Sequence, residues 1–424
     1  MRGPGRGPRQ EPGPRTGPRP LPLHLSAAAL TWMSSLAALP HLKSGSLPWK
    51  SQLPESANAL VADLRAADAD ELTAAVEQEV RRRLATFADG LEAYRHHPYR
   101  RALPEPREAW REGTTRLLDY GGEYGGQGAG YPLLVVPSLI NRAYILDLSE
   151  ETSLLRWLAG RGLRPYLVDW DRPGPEERRF TLTDYIVGRL ESALEVVRAE
   201  TGRPPILAGY CMGGLLALAL AERRGHDLAG LALLATPWDF QAENGAPPHL
   251  IAAGLAAAAP ALEMLGEMPV DLIQALFAAL DPEVAVKKFL AFAQMDPASP
   301  RARRFVALED WLNDGVPLAA PVARECLGGW YGENTPARGA WRIAGRPVDP
   351  GRVALPTLCL LPGQDRIVPP ASAKALAEAI PGAESLAPPI GHIGMVVSGG
   401  AQEKVWQPLR RWLASRAAAN GEST

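Results

Sequence analysis

The sequence predicts an α/β protein with a doubly wound, mostly parallel sheet, and three observations support this prediction. From residue 131 onward, short apolar runs typical of buried parallel strands alternate with helical patterns. A cysteine flanked by glycines stands where one of these strands meets a helix. Later in the chain, an aspartate follows the last of these predicted strands, and a histidine follows the helix predicted after it. Strands and helices that alternate in this way build a sheet covered by helices on both faces.

The predicted strands are nearly continuous in Leu and β-branched residues, and they end at Pro, Gly or Asp. Helical patterns fall between them, at residues 149–160, 182–200 and 212–224. The strands themselves are YPLLVVP (131–137), LRPYLVDW (163–170), PPILAGY (204–210), LAGLALLATP (228–237) and ALPTLCLLPG (354–363). Their apolar character throughout predicts a sheet that is buried on both faces.

Composition places the chain among globular proteins. Of its 424 residues, 46% are hydrophobic and 22% are charged, with 45 Lys and Arg against 47 Asp and Glu, so nothing indicates a nucleic-acid partner. The cysteines Cys211, Cys326 and Cys359 are too few for a disulfide framework and lack metal-binding spacing. No unbroken run of 18 apolar residues occurs. We therefore expect a reduced, cytoplasmic protein without a membrane span.

Composition also divides the chain into regions. The region before the first core strand has apolar residues at helical spacing within 56–95, and a long helical, aromatic-rich insertion separates two predicted strands. We interpret this insertion as a lid. The predicted regions are a disordered Arg/Pro/Gly-rich tail (1–22), an N-terminal helical region (23–112), an α/β core (113–236 and 351–415), the helical lid (237–350) and a polar tail (416–424).

Three further segments admit more than one interpretation. The apolar residues 26–40 follow arginines and could belong to a secretory signal, although the proline-rich start and the poor cleavage site favour a folded segment. The paired histidines of HHPYRR (96–101) have no acidic or cysteine partner nearby, which favours a surface loop over a metal site. The glycines of GGEYGGQGAGYP (121–132) precede a strand and miss the dinucleotide spacing, so we expect a flexible loop.

The segment Gly209-Tyr210-Cys211-Met212-Gly213 has the spacing of a nucleophile elbow. In that turn a nucleophile between two glycines sits where a strand becomes a helix, and the positive helix end favours a thiolate. The alternative is a small buried cysteine in a tight turn. We predict that Cys211 is a nucleophile, whereas Cys359, inside an apolar strand, and Cys326, without a neighbouring histidine, are structural.

An elbow nucleophile needs an acid and then a histidine later in the chain. Asp365 follows the strand ALPTLCLLPG, and His392 follows the next predicted helix, so the order is correct. Asp169 also ends a strand and is an alternative acid, but it precedes the nucleophile. For the oxyanion hole we expect the backbone N–H of Met212 and an N–H from the loop PSLINR (137–142), with Ile140 or a neighbour as its donor.

Seven ordered motifs resemble those of the polyhydroxyalkanoate synthases, bacterial enzymes of the α/β-hydrolase fold that polymerise 3-hydroxyacyl-CoA. The resemblance covers roughly residues 105–415. It departs from the family at Arg366, where a histidine usually follows the aspartate. The motifs are LINRAYILDL (139–148), YLVDWDRP (166–173), GYCMGG (209–214), ATPWDF (235–240), WLNDG (311–315), DRIVPP (365–370) and GHIGMVVSG (391–399).

This resemblance implies that Cys211 takes up the acyl group and that Asp365 and His392 complete the triad. It implies polymerisation of (R)-3-hydroxyacyl-CoA with release of CoA and without a metal or redox cofactor. A homodimer, or attachment to polyester granules, is also implied. Two alternatives stay open: a hydrolase of the same fold, either a thioesterase or a polyester depolymerase, and a non-catalytic granule-associated protein. Acyl chain length, oligomeric state and any partner subunit leave no mark in the sequence.

Overall fold

The computed structural model describes residues 15–47, 56–124, 130–242 and 248–421. The chain forms two compact units, one of Met1–Arg100 with Gln274–Asn313 and one of Arg101–Ile273 with Asp314–Thr424. The strands are β1 Arg107–Glu112, β2 Thr115–Asp119, β3 Tyr131–Val136, β4 Asp147–Ser149, β5 Thr152–Ser153, β6 Leu163–Asp169, β7 Ile206–Tyr210, β8 Gly230–Leu234, β9 Glu267–Met268, β10 Leu318–Ala319, β11 Arg342–Ile343, β12 Arg346–Pro347, β13 Thr357–Leu360 and β14 Glu384–Leu386.

Helices occur along the whole described chain. The α-helices are α1 Leu21–Ser44, α2 Ser56–Ala66, α3 Ala69–His96, α4 Gly121–Tyr124, α5 Leu154–Ala159, α6 Glu191–Thr201, α7 Met212–Arg224, α8 Pro248–Leu265, α9 Val270–Leu280, α10 Val284–Phe292, α11 Pro300–Asn313, α12 Ala320–Arg324, α13 Pro370–Ala379, α14 Gly394–Val397 and α15 Gln407–Gly421. Short π-helical turns at Asp184–Leu190, Glu325–Gly332 and Gln402–Trp406 join several of them.

The second unit contains a mixed sheet whose described strands run in the order β1-β2-β6-β3-β7-β8-β13-β14. Neighbouring strands from β6 to β14 are parallel, whereas β1 and β2 form an antiparallel edge next to β6. Strands β3, β7, β8 and β13 are buried along their whole length. All five predicted strands are present, and the α/β fold class is confirmed. The edge strands β1 and β14, and β2 between β1 and β6, were not predicted, because their polar residues hide the strand pattern.

The first unit has a helical core of its own. The predicted helical segment 56–95 is divided into α2 and α3, because the Asp68 side chain accepts from the N–H groups of Asp70 and Glu71 and caps a new helix. Phe87 and Tyr94 of α3 pack edge-on against Phe289 of α10. A Cβ on Gly90 would lie 2.3 Å from the Phe289 carbonyl oxygen, so α3 and α10 are in close contact.

This packing changes the predicted organisation of the insertion. Part of residues 237–350, namely Gln274–Asn313, belongs to the first unit together with the N-terminal helices. The cause is that the apolar stripe of α3 needs a partner and finds it in α10 and α11, whose buried Phe292, Ala302 and Val306 share the same core. The sequence pattern showed two amphipathic regions but could not show that they cover each other.

Both predicted tails are partly folded in the structure. Residues 1–14 of the tail 1–22 lie outside the described residues, but Arg15 pairs with Asp310 at 2.6 Å and α1 begins at Leu21. The apolar residues 26–40, considered as a signal, lie within α1, where Ala28 and Trp32 are buried. At the other end, α15 continues through the predicted tail 416–424 to Gly421, since Ala-rich sequence favours helix.

Other predicted loops divide in the same way. In the glycine-rich segment 121–132, α4 occupies Gly121–Tyr124, while residues 125–129 lie outside the described part. In HHPYRR, His96 is exposed but His97 is buried. The Tyr99 N–H donates to Nδ1 of the His97 ring. The proton of that ring is therefore on Nε2, which donates to the Pro297 carbonyl. His97 is therefore a satisfied structural residue.

Candidate active site

Cys211 lies at the sharp turn between β7 and α7. Its backbone has φ 56° and ψ −128°, a conformation that side chains adopt only under strain. Its N–H donates to the Leu234 carbonyl at 2.8 Å, which holds the turn against the end of β8. The cysteine side chain is partly exposed, whereas Cys326 and Cys359 are buried. Strain at one exposed thiol is the feature that the elbow spacing predicted.

The glycines around Cys211 allow two close backbone approaches. A Cβ on Gly209 would lie 2.4 Å from Cα of Gly214, within the turn itself. A Cβ on Gly213 would lie 2.2 Å from the Val136 carbonyl oxygen and 2.5 Å from that of Pro137. The first turn of α7 is thus in direct contact with the end of β3 and the loop after it. The two loops from which oxyanion donors were expected therefore lie side by side.

His392 and Asp365 lie together in buried loops after β14 and β13. Nδ1 of His392 is 2.6 Å from Oδ2 of Asp365, and both side chains are almost completely buried. The other carboxylate oxygen of Asp365 accepts from the N–H groups of Ile367 and Val368, at 2.8 and 2.9 Å. Because the carboxylate is anchored on three donors, it fixes the tautomer that carries a proton on Nδ1 of His392.

The opposite side of the His392 ring lies within hydrogen-bonding reach of the Cys211 thiol. Burial alone would lower the pKa of His392. The negative charge of a Cys211 thiolate and the hydrogen bonds with Asp365 and Cys211 outweigh burial and raise the pKa overall. A protonated imidazole is thereby stabilised beside the thiol.

Tyr210 is a site residue that the sequence did not reveal. Its O–H donates to the His392 carbonyl at 3.2 Å, and its ring lies 5.3 Å from the imidazole. Burial, together with the charges of Cys211 and Asp365, raises the pKa of Tyr210 well above 10.0, so it remains a neutral donor. As a strand residue inside an apolar run, it carried no signal of this role. It connects the elbow directly to the histidine loop.

The structure also describes the two predicted oxyanion donors, the alternative acid and Arg366. Met212 is the first residue of α7, where an N–H has no partner within the helix. The Ile140 N–H donates to the Ser138 hydroxyl at 2.9 Å. Asp169, the alternative acid, pairs with Arg116 at 2.5 Å. Arg366 is exposed.

Among the residues described, no group of His, Cys, Asp and Glu side chains has the arrangement of a metal site. Among the same residues, no helix has the length and apolar character to cross a bilayer. The aromatic residues predicted for the insertion divide between the two units. Trp238, Trp330, Tyr331 and Trp341 belong to the second unit, whereas Trp311 belongs to the first.

Comparison with known proteins agrees with the fold. Residues 131–398 match the α/β hydrolase fold family, which defines the class of this protein. Poly(3-hydroxyalkanoate) polymerase subunit PhaC of Synechocystis sp. is 31% identical over 300 residues, which cover 67% of this chain and 78% of the relative. The PhaC subunit of Thiocystis violacea is 30% identical over 319 residues, covering 73% of this chain and 88% of the relative. The chain belongs to the poly(3-hydroxyalkanoate) polymerase family, as its motifs predicted.

A third relative shows the same similarity over most of this chain. The PhaC subunit of Haloarcula marismortui is 28% identical over 323 residues, which cover 74% of this chain and 68% of the relative. The matched length in each case is far longer than the elbow. Membership of the family therefore rests on most of the α/β unit and not on the cysteine motif alone.

Proposed function

We propose that this protein polymerises (R)-3-hydroxyacyl-CoA into a polyester and releases CoA, with Cys211, Asp365 and His392 as its catalytic residues. The observation that carries the proposal is the position of His392, bonded to Asp365 at 2.6 Å and within reach of the thiol on the elbow. The relatives named as poly(3-hydroxyalkanoate) polymerases support the choice of substrate.

In the first step, the Cys211 sulfur attacks the thioester carbonyl of the substrate. A new S–C bond forms, the bond to the CoA sulfur breaks, and the proton that His392 took from the thiol passes to CoA. Exchange of one thioester for another costs little free energy. Asp365 accepts from Nδ1–H of His392 throughout, which holds the ring in orientation and stabilises it when it is protonated.

In the second step, a 3-hydroxyl group attacks the acyl group on Cys211. His392 takes the hydroxyl proton and returns it to the sulfur as the S–C bond breaks and an ester bond forms. The N–H of Met212 is proposed as one donor to the oxyanion of both steps. The second donor comes from the loop 137–142, and for Ile140 to serve, its N–H would first have to leave the Ser138 hydroxyl.

The reaction needs no metal or redox cofactor, because thiol, imidazole and carboxylate supply all proton and acyl transfers. It does need protection from water, which would hydrolyse the acyl-cysteine. The helical insertion, which brings Tyr331 beside Cys211, is proposed to give that protection. The product is insoluble in water, so we also propose that the protein works in the cytoplasm at the surface of polyester granules, as a monomer or a homodimer.

The test is incubation with (R)-3-hydroxybutyryl-CoA, followed by assay of free CoA and of polymer. The wild-type protein is expected to release CoA and leave polymer, and Cys211→Ala to do neither. Cys359→Ala, which removes a buried thiol in β13, is the matched control and is expected to remain active. Free 3-hydroxybutyrate as the only product would show a thioesterase and defeat the proposal. Absence of any CoA release, with granule binding retained, would show a non-catalytic protein.

A further inference from the structure

Five aromatic side chains beside the elbow form a continuous group, which we term the lid aromatic cluster: Trp238, Phe240, Trp330, Tyr331 and Trp341. The Phe240 ring centroid lies 4.7 Å from that of Tyr331 and 5.8 Å from that of Trp330. Trp341 lies 5.3 Å from Trp330 and 6.5 Å from Trp238. Each ring therefore lies against at least one other, and the five rings form one connected aromatic group.

Two polar atoms within this cluster lack a partner. Trp330 is 2% exposed and Trp341 4%, and their Nε1 atoms make no hydrogen bond to any part of the chain that the structure describes. An indole N–H can only donate, and a buried Trp normally finds an acceptor for it. Leaving a buried donor unpaired costs more than an ordinary hydrogen bond gains. Two such donors on neighbouring rings indicate an acceptor that the described residues do not supply.

The lid aromatic cluster adjoins the elbow through the segment after β8. Cys211 donates its N–H to Leu234 at the end of β8, and a Cβ on Gly214 would lie 1.9 Å from the Thr236 hydroxyl oxygen. Trp238 and Phe240 follow directly along the chain. The Asn334 side chain then ties the two parts of the cluster together, since it accepts from the Phe240 N–H at 3.0 Å and donates to Asp239 at 2.8 Å.

We propose that the indole N–H groups of Trp330 and Trp341 bind ester carbonyl oxygens of the growing polyester, an inference that rests on the proposed polymerase function. An aliphatic polyester is uncharged, apolar between its carbonyls and rich in acceptors without donors. That chemistry matches an aromatic cluster in which two buried indole N–H groups, donors only, lack an acceptor among the described residues. The phosphates of CoA do not match it, because a charge buried among aromatic rings would lack a counter-ion.

The binding test uses Cys211→Ala, which cannot be acylated, and a short 3-hydroxybutyrate oligomer closed as its methyl ester. Affinity is measured by titration calorimetry in that background and in the double variants with Trp330→Phe or Trp341→Phe. Each Phe variant keeps an aromatic ring and loses one donor, so binding is expected to weaken about fivefold, the effect of one net hydrogen bond. The CoA thioester monomer is titrated in parallel, and its affinity is expected to change much less on these substitutions.

Trp157 offers a matched control. Its Nε1 atom is also buried and has no partner among the described residues, but its ring lies against Trp406 at 5.7 Å and beneath the Arg161 guanidinium, outside the cluster. Trp157→Phe is expected to leave oligomer affinity unchanged. The inference would be overturned if the Trp330 and Trp341 variants bound the oligomer as tightly as the Cys211→Ala parent. It would also be overturned if these two variants and the Trp157 variant all lost the same affinity.

A second measurement reads binding in protein that keeps both tryptophans, and the Phe variants serve only to assign the resonances. In ¹⁵N-tryptophan-labelled Cys211→Ala protein, the oligomer is expected to shift two indole N–H resonances, those absent in Trp330→Phe and Trp341→Phe. No indole shift at saturating oligomer would overturn the inference. Failure of the proposed function is separate, since it is read from the wild-type protein as absence of polymer from (R)-3-hydroxybutyryl-CoA.

Discussion

Oδ2 of Asp365 lies 2.6 Å from Nδ1 of His392, although 27 residues separate the two in the chain. The carboxylate is held from its other side by the N–H groups of Ile367 and Val368. It cannot turn away without breaking three hydrogen bonds. The position of His392 relative to the elbow is therefore set by a rigid partner, and predictions about catalysis can be made from this pair.

The first prediction concerns the acid. In Asp365→Asn an amide N–H faces Nδ1, which favours the tautomer with its proton on Nε2, so His392 can no longer take a proton from Cys211. CoA release is expected to fall about a thousandfold or more, with the fold retained by circular dichroism. Asp169→Asn is the control, since Asp169 pairs with Arg116, and only a small loss is expected. A larger loss in Asp169→Asn than in Asp365→Asn would transfer the acid role to Asp169.

The second prediction concerns thiol reactivity and pH. The pKa of His392 is raised, so the imidazolium persists above the ordinary value of 6.5 beside the Cys211 thiol. At pH 6.5 iodoacetamide is expected to alkylate Cys211 at least about tenfold faster in the wild type than in His392→Gln. The difference between these two alkylation rates is expected to become smaller as pH rises.

Peptide mapping supplies the internal control for this experiment. Burial raises the pKa of Cys359 to about 12 and that of Cys326 well above 9.0, so neither thiol is expected to react. Equal alkylation rates in wild type and His392→Gln across the pH range would show that His392 does not activate the thiol.

The third prediction concerns exclusion of water. Glu267 of β9 accepts from Arg172 at 2.7 Å and from Arg178 at 3.1 Å, and both arginines lie in the loop region after β6. Glu267→Gln removes the charge and loosens this attachment of the insertion. The fraction of acyl groups released as free 3-hydroxybutyrate is expected to rise severalfold, with little change in CoA release. Glu263→Gln, at an exposed position on α8, is the control. An unchanged product ratio would contradict a protective role for this part of the insertion.

The fourth prediction concerns the stability of the first unit. Burial raises the pKa of Glu309 above 4.5, and the ion pair with Lys288 at 2.7 Å only partly opposes this effect. A raised carboxyl pKa means that the folded state holds a proton which the unfolded state has lost. The free energy of unfolding therefore falls as pH rises from 4.5 towards the raised pKa, by about 1.4 kcal/mol per pH unit within that window.

Glu309→Gln removes this titration. Relative to wild type, the variant is expected to gain stability as pH rises, measured by urea unfolding with hydrogen exchange of α10 and α11. Glu283→Gln, which alters the exposed pair of Glu283 with Lys287, is expected to follow the wild type. A difference between Glu309→Gln and wild type that does not change with pH would contradict the buried, proton-holding carboxyl.

The α/β core was predictable because its strands are buried on both faces and carry one continuous apolar signal. The elbow was predictable because Gly209 and Gly213 are required where backbone meets backbone, and such requirements are visible in sequence. The antiparallel strands β1 and β2 were not predictable, since their polar residues look like those of a loop. A local sequence pattern therefore predicts a strand well only where all of its residues have the same environment, as in a strand that is buried on both faces.

Contacts between distant segments set the limit of prediction at the site. The Tyr210 hydroxyl reaches the His392 carbonyl across 182 residues, and no spacing rule encodes that bond. The shared core of α3 and α10 is of the same kind, because an amphipathic stripe reveals that a partner exists but not which one. Likewise, the sequence predicted an oxyanion donor in the loop after β3, but it could not show that the Ile140 N–H donates to Ser138, because that bond depends on local backbone geometry.

The most direct test of the proposed chemistry is intact-protein mass spectrometry after rapid mixing with (R)-3-hydroxybutyryl-CoA. A covalent 3-hydroxybutyryl adduct is expected on wild-type protein, located at Cys211 by peptide mapping, released by hydroxylamine as a thioester and followed by longer oligomeric adducts. Cys211→Ala is expected to remain unmodified. Polymer formed by Cys211→Ala, or an adduct located on another residue, would contradict acyl transfer through the elbow cysteine.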